Sequence, residues 1–80
     1  MLVLVMDEGF ILSNKFRKIV FDGFASGETD INRIIKKYRI IPAAVKRVTD
    51  DFINGGILEQ KGNKYFLTKE GKKLSEIIRG

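Results

Sequence analysis

Residues 29–58, TDINRIIKKYRIIPAAVKRVTDDFINGGIL, constrain the fold more than any other part of the chain, because they read as two helices joined by a tight corner and closed by Gly-Gly. Ile31, Ile34, Ile35 and Tyr38 recur at the spacing of one helix face, and Asn32, Arg33, Lys36 and Lys37 fall on the other. Thr29 is the expected N-cap. The second helix can begin at Pro42, whose fixed φ suits a first turn and whose missing N–H would have had no partner there. It carries Val45, Val48 and Phe52 on one apolar face. Only Arg39, Ile40 and Ile41 lie between the two, which forces a sharp turn. Gly55-Gly56 offers the left-handed backbone that ends helices. The expectation is a helix-turn-helix over residues 29–55.

Ahead of this unit, residues 13–25 have a helical pattern. Ser13 is placed to cap, Phe16, Ile19, Val20 and Phe24 form the apolar stripe, and Lys15, Arg17, Lys18 and Asp22 point outward. Phe21 lies beside the stripe. Gly23 costs about 1 kcal/mol against Ala inside a helix, so the helix frays there or admits a close neighbour. Behind the unit the period becomes extended. Ile57-Leu58-Glu59-Gln60 and Tyr65-Phe66-Leu67 flank Gly62-Asn63, a two-residue hairpin turn in which both residues tolerate positive φ. A last helix over 68–79 has Thr68 as N-cap, Glu70 in its first turn and Leu74, Ile77 and Ile78 as its apolar stripe.

The N-terminal residues 1–12 stand outside that pattern. Met1-Leu2-Val3-Leu4-Val5-Met6 has no basic residue before it and Asp7-Glu8 behind it, too short for a membrane span and wrongly charged for a signal peptide. It is a short strand, or a helical turn packed on the domain or on a second copy of it. Six residues of periodicity do not choose between these.

Eighty residues make one domain with a modest core. The absence of Cys and His removes disulfides, thiolate metal sites and the commonest general base, so no metal, cofactor or catalytic triad is expected and a reducing, cytoplasmic setting is consistent. The carboxylate pairs Asp7-Glu8 and Asp50-Asp51 lie on separate segments, and Gly55-Gly56 ends a helix whereas a phosphate-cradling loop opens one. An enzyme has little to stand on. A net charge of +5 and a pI near 9.7 favour an anionic partner, although the excess is spread along the chain and residues 42–56 are neutral.

Helix, helix-turn-helix, hairpin, helix is the order of a winged helix. The segment VKRVTDDFINGGILEQKGNKYFLTKEGKKL resembles the recognition helix, wing and following helix of the MarR-like and related small archaeal transcriptional regulators. The matching features are Phe52 seven residues after Val45, the pair Gly56-Ile57 opening the wing at 57–67, and Leu67-Thr68-Lys69-Glu70-Gly71 after it. The resemblance covers residues 13–79. It implies an α+β, mainly α chain: a three-helix core with helix-turn-helix, a two-stranded wing and a C-terminal helix. Such domains often carry Gly at the corner, where this chain has Arg39. A positive φ there costs a non-Gly residue about 1 kcal/mol or more.

The function this implies is sequence-specific binding of double-stranded DNA, with the second helix in the major groove and the chain acting as a regulator and a homodimer. The exposed positions near the start of that helix are Ala43, Ala44, Lys46 and Arg47, where Arg47 can take guanine bidentately and the alanines can meet thymine methyls. Lys36, Lys37 and Arg39 before it, with Lys61 and Lys64 on the wing, are the candidate phosphate contacts. Against this stands the reading of these cations as solvated helix faces, with Lys46 and Asp50 forming an i, i+4 pair. The competing functional class is a winged helix that docks on another protein. RNA binding is a third.

Overall fold

Phe21 and Phe52 meet edge to face with ring centroids 6.0 Å apart, and both are fully buried. The core grows outward from this pair. The structure, a computed structural model, describes residues 8–79, so the apolar run 1–6 lies outside the described residues. Within them the chain is α+β and mainly α: α1 (Glu8–Leu12), α2 (Lys15–Ala25), α3 (Ile31–Tyr38), α4 (Pro42–Asn54), β1 (Leu58–Lys61), β2 (Lys64–Leu67) and α5 (Lys69–Arg79). The strands pair antiparallel, from Leu58 opposite Leu67 to Lys61 opposite Lys64.

Every element but β2, whose Tyr65 and Leu67 pack against it half-buried, puts a buried residue into one core. Ile11 comes from α1, Val20, Phe21 and Phe24 from α2, Ile34 from α3, Val45, Val48 and Phe52 from α4, Leu58 from β1 and Leu74 from α5, with Ile40 and Ile57 from the connections. Two expectations change here. Phe16 sits in the first turn of α2, past the edge of the core, and is exposed, whereas Phe21 fills the centre against α4. The core also takes in Ile11 on a one-turn helix, which Arg17 holds in place: its guanidinium lies 3.8 Å from the centre of the Phe10 ring and donates to the Phe10 carbonyl at 3.2 Å.

Caps define the helix boundaries. Asn14, not Ser13, caps α2, its Oδ1 accepting from Phe16 N–H at 2.8 Å, while Ser13 bonds back to the Phe10 carbonyl at 3.0 Å. Asp30, not Thr29, caps α3, accepting from Asn32 N–H at 2.8 Å. Thr29 has another use, since its carbonyl accepts from Tyr65 N–H at 2.9 Å and so ties the outer edge of β2 to the loop before α3. Gly23 does admit close neighbours: a Cβ there would lie 3.1 Å from the Ile34 side chain.

The corner between α3 and α4 carries three local costs. Arg39 adopts φ 52 and ψ 49, the left-handed region, at about 1 kcal/mol or more for a non-glycine residue. Ile41 stands at the N-cap of α4 and makes no side-chain cap bond, a loss of about 1 kcal/mol against Ser or Asp. Its side chain is also 67% exposed, whereas its neighbour Ile40 is buried. Pro42 opens α4 as expected.

At the other end of α4 only Gly56 takes the left-handed conformation, with φ 80 against −81 for Gly55. Ile57 N–H bonds the Phe52 carbonyl at 3.1 Å and Gly56 N–H the Ile53 carbonyl at 3.1 Å, which closes the helix. The hairpin turn likewise uses positive φ only at Gly62, the arrangement of a type II′ turn with glycine first.

Thr68 locks the hairpin stem. Its N–H donates to the Ile57 carbonyl at 3.0 Å, its Oγ1 donates to the Gly56 carbonyl at 2.6 Å, and the same oxygen accepts from Gly71 N–H at 3.2 Å. Gly71 is buried against this stem, where a Cβ would run into the Ile57 carbonyl oxygen. The Thr-x-x-Gly spacing thus has a mechanical reason in this chain. Thr caps α5, and Gly lets α5 lie directly on the chain that leaves α4.

Candidate nucleic-acid interface

Cations are concentrated in one window of the chain, and the fold brings the hairpin tip up to it. From residue 31 to residue 49 the chain has six cations, Arg33, Lys36, Lys37, Arg39, Lys46 and Arg47, and no carboxylate. All six are exposed. Among the described residues none of them makes an ion pair; the pairs are Lys18–Asp22, Lys61–Glu59 and Lys73–Glu70. The i, i+4 pair of Lys46 with Asp50, which the reading of these cations as a solvated helix face invoked, is not formed.

Arg33 links the parts. It lines a hollow with Asn63 and Lys64 at the hairpin tip, and the adjoining hollow with Lys36 and Lys37. Two carboxylates border these hollows: Glu28 both, with its Oε1 accepting from Thr29 N–H at 3.1 Å and Asp30 N–H at 3.3 Å, and Asp30 the first, with its Oδ1 accepting from Asn32 N–H at 2.8 Å. A basic ridge accordingly runs from Lys64 through Arg33 to Lys36 and Lys37 on α3, and Arg39 follows two residues on at the corner. Lys36 and Lys37 also lie in the last turn of α3, where a cation is favourable for the helix itself by about 0.3–1 kcal/mol.

On α4 the outward stripe is Ala43, Lys46, Arg47 and Asp50, all exposed and spaced by three and four. Ala44 leaves the proposed contact set, because it is half-buried and packs on the core one turn ahead of Val48. Asp50 closes the basic stretch on the same stripe, two turns into the helix.

At the hairpin tip Lys61 and Lys64 stand directly opposite each other, an arrangement in which like charges repel. Lys61 is compensated: its Nζ lies 3.4 Å from Glu59, two residues back on the same strand face, and 6.0 Å from the centre of the Phe66 ring. Lys64 has no ion-pair partner among the described residues.

Arg33 is the residue that reasoning from the sequence alone did not place at this site. The acid-free window from 31 to 49 was a usable signal for Arg33. The hairpin tip beside α3 was not, because it depends on contact between residues thirty positions apart. Among the described residues no group of three or more acidic side chains is placed to hold a metal, and no helix is long and apolar enough to cross a membrane. No protein-family model matches the chain, and no curated protein is similar enough to it to count as a match.

Proposed function

We propose that the chain is a winged-helix module that binds double-stranded DNA, with α4 in the major groove and the hairpin as a wing on the phosphate backbone, serving a small transcriptional regulator. One observation carries this reading: a continuous ridge of unpaired cations, Lys64, Arg33, Lys36, Lys37 and Arg39, leads into the exposed start of a helix whose first two turns hold Lys46 and Arg47 and no acid. A phosphate backbone is the extended polyanion that such a ridge suits. In this assignment Arg47 takes guanine O6 and N7, Lys46 and Ala43 meet neighbouring base edges, and the ridge with Lys61 positions the protein. A helix-turn-helix of this kind works in pairs on half-sites about 34 Å apart, so the reading includes a homodimer. The MarR-like resemblance adds support through Gly56, Thr68 and Gly71, each of which has a definite task in the stem.

Docking on a protein is the second reading, favoured by the exposed Leu12, Phe16 and Ile77, with Ile77 at 60% exposure. An anisotropy titration of duplex DNA across a salt series separates the two. Five or six phosphate contacts give log K a slope of roughly −5 against log salt. Binding that stays weak and indifferent to salt refutes the DNA reading. Light scattering tests the dimer, which a monomeric mass excludes.

A further inference from the structure

The costs at the corner of α3 and α4 fall on Arg39 and Ile41, two residues apart. The left-handed Arg39 closes α3, where the Ile40 N–H bonds the Ile35 carbonyl at 3.3 Å, but no packing or capping explains the exposed Ile41. Ile41 occupies the one position in α4 where a small polar side chain would cap the helix, yet the chain places a β-branched hydrophobe there. It is the most exposed large apolar side chain among the described residues, at 67%. Pro42 and Ala43 follow it, both exposed, so the leading edge of α4 is apolar for three residues. The nearest charged residues along the chain on either side of that edge are all cations, Arg39 before it and Lys46 and Arg47 after it. Local rules broken together at one exposed point mark a functional position better than they mark a structural one.

An apolar tip enclosed by positive charge does not suit an ordinary protein surface, where an exposed isoleucine would meet a hydrophobic pocket with few charges around it. It suits a ligand that presents a small apolar group inside a strongly anionic frame. In the major groove the thymine C5-methyl is that group, carried between two rows of phosphates. We infer that Ile41 reads thymine: its side chain packs on thymine C5-methyls where α4 enters the groove, and gives the protein a preference for A·T pairs at that end of the site. This rests on the reading that α4 lies in the major groove.

The test compares two A·T-rich duplexes of one sequence, one with thymine and one with deoxyuridine, which lacks only the methyl. Anisotropy is measured across a salt series for the wild type, Ile41→Ala and Ile41→Ser. The wild type should bind the thymine duplex about three- to fivefold more tightly, the effect of burying roughly one CH₂-sized group. Ile41→Ala should bring that ratio close to one and leave the salt slope unchanged. Ile41→Ser should raise the melting temperature by supplying the missing cap, and lose the thymine preference all the same. Salt-dependent binding with a wild-type ratio near one, or a ratio that survives either substitution, overturns the inference while the DNA reading stands. An absence of salt-dependent binding in the wild type removes both, and leaves Ile41 as an anchor for a protein partner.

Discussion

Replacing Gly71 by Ala inside α5 would ordinarily stabilise the chain, since Ala is better than Gly in a helix interior by about 1 kcal/mol. Here the sign should reverse. The new Cβ would strike the Ile57 carbonyl oxygen, which already accepts from Thr68 N–H at 3.0 Å. It would also lie 3.1 Å from Leu67 Cδ2, so neither side of the glycine offers room. Relief requires α5 and the stem to part by on the order of 1 Å, enough to forfeit a quarter to a half of their contact attraction. That movement also lengthens the Thr68 bonds to Ile57 and Gly56. Overpacking costs about 1–3 kcal/mol and the weakened Thr68 bonds, one of them exposed, about 0.5–1.5 kcal/mol, so after the propensity gain the net loss is about 1–3 kcal/mol. In a domain of this size such a loss lowers the melting temperature by roughly 5–20 °C. Urea unfolding followed by helical circular dichroism measures it. Gly23→Ala is the control, because its Cβ would meet only side-chain atoms, Ile34 at 3.1 Å and Tyr38 at 3.4 Å, which can shift; it should stay within about 1 kcal/mol of the wild type. A Gly71→Ala protein as stable as the wild type would refute the stem as described.

Phe52→Ala should cost about 3–5 kcal/mol in the same assay, since it empties the centre of the core opposite Phe21; a loss under about 1 kcal/mol would show another face to be buried. Thr49→Val should stabilise by about 1–2 kcal/mol, because the Thr49 Oγ1 is buried with no hydrogen-bond partner among the described residues; a destabilised variant would reveal a partner. Arg39→Gly should raise stability by about 1 kcal/mol through relief of the left-handed backbone, and lower the salt slope of DNA binding by about 1. Lys64→Ala should weaken binding to all duplexes more than Lys61→Ala, whose cation is already paired with Glu59; equal effects in anisotropy would contradict that distinction.

What the sequence made legible was local. The three- and four-residue spacing of Val45, Val48 and Phe52, the proline at the start of α4 and the Gly62-Asn63 turn all act within a few residues, and each has its expected place in the structure. Choices that depend on distant partners were not legible in this way. Phe16 and Phe21 both fit the periodicity of α2, and only the position of Phe52 decides which is buried. Ser13 and Thr29 are each followed by an equally good cap, Asn14 and Asp30, and propensity does not separate such neighbours. Ile11 belongs to the core through a five-residue helix, too short for any period to show. At the candidate interface the cations themselves were evident, but their grouping was hidden by the acidic residues that flank the window, and by a hairpin tip that reaches α3 only once the chain has folded.

The stem closed by Thr68 has a consequence for how this domain can change over evolutionary time. The Thr68 hydroxyl grips the Gly56 carbonyl across twelve positions, so the β1–β2 hairpin between them is a segment whose ends are already joined. The entropy of such a closed loop grows only logarithmically, so doubling its length adds about 0.6 kcal/mol. Residues inserted between Gly62 and Asn63 would extend the hairpin tip into solvent without reaching Phe52 or Leu74. The reach of the tip, with its exposed lysines, is therefore free to drift by insertion and deletion, while the helices that hold it are constrained by their packing.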